Sequence, residues 1–79
     1  MKKAKLITSG LLKGNANLYQ INCDDYVIVS RANTSDRGDE TMIFPCDKQG
    51  NVTDWGELYA GYGESHDTAL NKWGAEIVK

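Results

Sequence analysis

Glu40-Thr41-Met42-Ile43-Phe44-Pro45-Cys46-Asp47-Lys48-Gln49-Gly50-Asn51-Val52-Thr53-Asp54-Trp55-Gly56-Glu57-Leu58 reads as a strand, a tight polar turn and a segment that drops a tryptophan and a leucine back onto a core. The strand is Glu40 to Cys46. Pro45 has no N–H to give to a ladder, so it marks the strand's end or an edge. Asp47 to Asn51 is a reverse turn in which Gly50 supplies a positive φ. Val52 to Tyr59 is short and partly extended, with Trp55 expected to close one end of the core.

Upstream, Tyr26-Val27-Ile28-Val29-Ser30 is rich in β-branched residues and apolar on both faces, as a central strand is. Leu18 to Cys23 alternates, with Tyr19, Ile21 and Cys23 on one side. Asp24-Asp25 joins the two as a hairpin turn, since both residues tolerate unusual backbone angles. Lys3 to Thr8 is a first strand, followed by turn signals at Gly10 and Lys13-Gly14-Asn15. Ala32 to Asp39 is polar throughout and reads as the longest loop.

Downstream, Gly61-Tyr62-Gly63 reads as a flexible link to the only helix. Ser65 is a good N-cap, because its hydroxyl accepts a bond from an otherwise orphaned backbone N–H. Asp67 suits the positive helix end. His66, Ala69, Leu70 and Trp73 fall on one helical stripe, and Gly74 reads as the stop. Two turns of helix cannot stand alone in water, so the stripe must pack on the sheet. Ala75 to Lys79 is a last short strand. The expected fold is α+β in one domain, 1–79. It has a small antiparallel sheet of four to five strands, one short helix on a face and a terminal strand.

The chain has 79 residues, four Tyr, two Trp and one Phe, enough for a small globular domain but too apolar for a disordered chain. A core of this size is thin, since a domain this short buries only about 60% of its unfolded surface. Self-association would relieve that, which leaves room for a homodimer. The net charge of −2 argues against non-specific nucleic-acid binding. Residues 1–13 carry Lys2, Lys3, Lys5 and Lys13 and no acid, but no aromatic stacking ladder accompanies them. Residues 35–67 carry eight acids against Arg37 and Lys48, so the expected partner is basic. The start resembles a signal-peptide n-region, but Thr8-Ser9-Gly10 and Lys13 interrupt the apolar stretch. The expectation is a cytoplasmic protein without a membrane segment. Cys23 and Cys46 are then reduced thiols on strands, with a disulfide open to them only if the strands are neighbours.

No spacing supports catalysis, and no catalytic residue is assigned. His66 sits where packing explains it, and a Cys–His pair would need Cys23 or Cys46 beside it plus a third group to orient the ring. Two cysteines and one histidine do not make a zinc site, so no metal or cofactor is expected. Gly61-Tyr62-Gly63-Glu64-Ser65 is not a phosphate loop, although it precedes a helix N-terminus where an anion could sit. A better-marked region interleaves aromatics and acids over Asp54, Trp55, Glu57, Tyr59, Tyr62 and Glu64. Aromatics anchor interfaces and flanking acids steer basic partners. For the two tyrosines, interface and core serve equally well. With Asp36, Asp39 and Glu40 these residues, Trp55 apart, form the candidate partner-binding set.

Tyr26-Val27-Ile28-Val29-Ser30, Glu40 to Pro45, Gly50 to Leu58 and Ser65-His66-Asp67-Thr68-Ala69-Leu70 together resemble a set of small uncharacterised proteins of tailed bacteriophages and prophages. The resemblance spans Tyr26 to Val78, about two-thirds of the chain. That family has no established activity, so no catalytic or binding residue carries over. The resemblance implies a context, a non-enzymatic factor that binds and inhibits a bacterial host protein, such as a component of a CRISPR or restriction system. A nucleotide-signal sequestering protein and a virion assembly protein are the alternatives.

Overall fold

The computed structural model describes residues 2–35 and 38–78. Six strands form one sheet: β1 (Lys2–Gly10), β2 (Ala16–Ile21), β3 (Asp25–Ser35), β4 (Gly38–Cys46), β5 (Tyr59–Tyr62) and β6 (Ala75–Val78). A single helical turn, α1 (Leu11–Gly14), follows β1, and the helix α2 (His66–Trp73) precedes β6. The spatial order is β5-β4-β3-β2-β1-β6. The fold is α+β as expected, but the sheet has six strands and is mixed. β6 pairs with β1 in parallel, from Lys2↔Ala75 to Lys5↔Val78, and the other pairs are antiparallel.

α2 forms where its local signals put it. Ser65 holds extended backbone angles, and its Oγ accepts from the Thr68 N–H at 3.1 Å. Gly74 ends the helix at φ 101°, in the left-handed region, and donates its N–H to Asn71 O. Ala69 and Leu70 are the buried residues of the stripe, and Trp73 is half-buried. They close a core on one sheet face with Ala4, Tyr19, Ile21, Val27, Val29 and Ile43.

The opposite face carries a second cluster of Ala16, Leu18, Ile28, Phe44 and Cys46. Its roof is α1 and the turn after β4. A Cβ added at Gly50 would lie 3.4 Å from Leu11 Cδ1 and 4.0 Å from Leu18 Cδ2, so the turn rests on both leucines. Gly50 has φ 89°, as the sequence suggested.

Four expectations need correction. Within the stretch expected as a loop, residues 32–35 and 38–39 are strand: β3 and β4 continue as a ladder through Asn33↔Asp39 and Ser35↔Gly38. The ladder is made by backbone groups, which polar residues supply as well as apolar ones. Gly61 and Tyr62 belong to strand β5, which pairs with β4 from Ile43↔Tyr59 to Glu40↔Tyr62. Cys23 lies exposed in the β2–β3 turn, whereas Cys46 is buried on β4, and both are free thiols. The positive φ of that turn is at Asn22 (58°), whose side-chain Oδ1 also accepts from Lys3 N. No helix among the described residues is long and apolar enough to cross a membrane.

Candidate functional site

The chain from Asp47 to Leu58 is irregular and pinned to β4 at both ends. Asp47 Oδ1 accepts from the N–H groups of Gln49 (2.9 Å) and Asn51 (3.0 Å), and Oδ2 accepts from Asn51 Nδ2. The Asn51 backbone bond is the main reason this carboxyl titrates below its usual range. Thr53 N–H then donates to Pro45 O, and Leu58 N–H to Ile43 O at 2.7 Å. Between these anchors Asp54 Oδ1 accepts from Gly56 N–H at 2.8 Å, which turns the chain sharply. The turn throws Trp55 outward. Its side chain is 73% exposed, touching the protein edge-on at Phe44 with ring centroids 5.3 Å apart. Trp55 is therefore not the core residue expected from its sequence neighbourhood.

Side chains alternate along β4 and β5, so residues paired across the ladder share a face. Phe44, Met42 paired with Ala60, and Glu40 paired with Tyr62 lie together on the face away from α2. Phe44 is buried beneath this face, and the surface strip above it runs from Trp55 over half-buried Met42 and exposed Ala60 to Tyr62, with Glu40 beside it. Asp54 and Glu57 are exposed beside Trp55, and Tyr62 is 42% exposed at the far end.

The candidate residues divide into separate groups. Asp54 and Glu57 flank the exposed indole. Glu40 and Tyr62 face each other across the ladder on the same sheet face. Asp39 lies on the long hairpin and pairs with Arg31 at 3.3 Å. Asp36 lies outside the described residues. Tyr59 and Glu64 lie on the other face and form part of the packing. Glu64 is 8% exposed. Its carboxylate accepts from Tyr59 Oη at 2.8 and 3.1 Å and pairs with Lys72 Nζ at 2.5 Å. The Glu64 carbonyl accepts from the buried Thr41 hydroxyl at 2.7 Å. Gly61 gives this carboxylate its space, because a Cβ there would fall on Glu64 Oε1.

The Lys72 bond, then the Tyr59 bond, hold the Glu64 carboxyl below its ordinary range. A depressed carboxyl adds stability above its unfolded pKa of about 4.3 and loses it as the pH falls through the folded value. The stability gap between the wild type and Glu64→Gln is therefore expected to close progressively below about pH 4. Urea midpoints measured from pH 7 to pH 3 test this, and a gap that does not change with pH would show that the carboxylate's charge contributes nothing.

The groups with intrinsic reactivity stand apart. His66 Nε2 lies 3.0 Å from Asn15 O, next to the start of β2. Cys46 lies at the end of β4 opposite Tyr26, whereas Arg31, on the His66 side, is five residues further along β3. Five strand residues span about 17 Å. Burial also pushes the Cys46 thiol up to about 11, so it is not a thiolate at neutral pH. Comparison with protein-family models, with curated proteins and with solved structures finds no match to this chain.

Proposed function

We propose that this chain is a non-enzymatic binding protein that docks on a basic protein surface through the strip from Trp55 to Tyr62 and its flanking acids Asp54 and Glu57. The observation that carries this reading is the indole of Trp55, 73% exposed and set out from the sheet by a hydrogen-bonded turn. Exposed tryptophan next to further apolar surface is a common interface anchor, and acids on the rim steer a basic partner. On the resemblance to small phage proteins, the proposed partner is a bacterial host protein in the cytoplasm, a defence effector that the chain inhibits.

The test is a tagged pull-down from bacterial lysate with the wild type, Trp55→Ala and the double charge reversal Asp54→Lys/Glu57→Lys. Capture of one stoichiometric host protein by the wild type and loss of most of it by both variants is the expected result. Undiminished capture by both variants would show that the strip is not the contact. A nucleotide released from the eluate without any protein partner would support a sequestering protein instead, and ordered oligomers of the chain alone would support an assembly role.

A further inference from the structure

We infer that the cleft at the β2–β3-turn end of the sheet is a socket for a bulky apolar side chain of the partner, carried on a segment that also presents basic residues. This rests on the reading of the chain as a protein-binding module and adds a second contact to the strip. The cleft has a volume of about 560 Å³, within the range of about 300–1,000 Å³ typical of ligand sites. Its apolar lining comes from Ile21, Val27, Pro45, Leu58 and Trp73. Ile21 and Val27 are each 3% exposed, so the floor is the core itself, while Leu58 is 44% exposed and forms an accessible wall.

The rim supplies the charge preference. Lys2 Nζ lies 4.5 Å from the centroid of the Trp73 ring, so that cation is already engaged by the indole. The Asp47 carboxylate is turned onto its own loop. Lys48 is exposed on the rim. Asp24 and Asp25 are adjacent and exposed, and their carboxylates have no hydrogen-bond or ion-pair partner among the described residues. An incoming apolar anchor with an arginine or lysine next to it satisfies both the floor and this pair, and the rim's three carboxylates, Asp24, Asp25 and Asp47, outnumber its two cations, Lys2 and Lys48. Leu58 links the two contacts, because the segment that holds Trp55 outward on one side also forms the wall of the cleft.

The experiment is selection of a random peptide display library on the immobilised wild-type protein, with enriched peptides then measured on variants. The expected consensus is Leu, Phe, Met or Trp within two positions of Arg or Lys. Its binding should weaken about tenfold or more in Leu58→Asp. It should also weaken, with a flatter salt dependence, in Asp24→Asn/Asp25→Asn, and persist in Trp55→Ala. In Trp55→Phe, where Trp73 is the remaining indole, the peptide should shift the emission. Failure to enrich any consensus, an acidic consensus, or binding that survives Leu58→Asp would overturn the socket. Peptides that lose binding in Trp55→Ala but keep it in Leu58→Asp would sink the socket and leave the strip standing. Host capture that survives the Trp55 and acid variants but fails in Leu58→Asp would do the reverse.

Discussion

Leu70→Ala is expected to destabilise the protein by about 2–5 kcal/mol, the usual range for truncating a buried leucine. A domain of 79 residues has roughly 4–12 kcal/mol in total at about 0.05–0.15 kcal/mol per residue. The change therefore removes a large part of what holds the fold. Leu70 is completely buried and lies in one cluster with Tyr19, Val27, Val29 and Ile43 from three different strands. On α2 the only other buried side chain is Ala69. An eight-residue helix has little intrinsic stability, so its attachment depends on this contact. Urea unfolding followed by circular dichroism should show a much lower midpoint with an unchanged slope. A midpoint shift equivalent to less than about 1 kcal/mol would mean that the cavity collapses and that Leu70 is not the main fixing point.

Gly61→Ala is expected to cost about 1–3 kcal/mol, as overpacking does, and the cost should vanish in a Glu64→Ala background. The added methyl would overlap Glu64 Oε1, with Glu64 Cδ at 2.7 Å and Tyr59 Oη at 2.9 Å. All three are side-chain atoms, so the backbone keeps its place and the carboxylate is the group that moves. It would leave Tyr59 and Lys72 and lose its enclosed position. With Glu64 truncated the carboxylate is gone, and the Tyr59 hydroxyl at 2.9 Å, the end of a side chain no longer held by that carboxylate, can move aside. The alanine then restricts the unfolded chain and should stabilise by about 0.4–1 kcal/mol. Thus one substitution is destabilising in the wild type and stabilising in the variant. A double-mutant cycle by urea denaturation measures this sign change. Additive effects would mean that the methyl disturbs the strand β5 itself.

The difference between what the sequence foretold and what the structure contains follows from the range of each signal. Ser65 and Gly74 act on their own helix ends, so α2 was legible almost to the residue. The β-branched run Val27-Ile28-Val29 likewise marks a strand without outside help. Asn33 and Asp39 look like loop residues because their side chains are of the polar kind that favours turns. Their pairing depends on backbone groups that polarity does not report. Gly61 suggested freedom, yet its missing Cβ is space for a carboxylate three residues on, a relation visible only in three dimensions. Trp55 suggested burial from composition. The sign to the contrary was Asp54 two residues before Gly56, the spacing of a side-chain-capped turn. Of the candidate surface, Asp54, Glu57 and Tyr62 could be found from sequence, while the accompanying Met42 and Ala60 required the register of β4 against β5.

The parallel pairing of β1 with β6 has a kinetic consequence. Lys2 N–H donates to Gly74 O, and Lys3 pairs with Glu76 at 2.6 Å across 73 positions of chain. Pairings between such distant segments are slow to form, because the entropy of closing the intervening chain is lost before any contact rewards it. During synthesis β1 emerges first, yet its outer neighbour consists of residues 75–78. The four antiparallel strands β2 to β5 can assemble while that side of β1 still waits for its partner. Of the six strands β6 is made last, so the sheet is complete only when α2 and β6, joined by the tight turn at Gly74, have added to it.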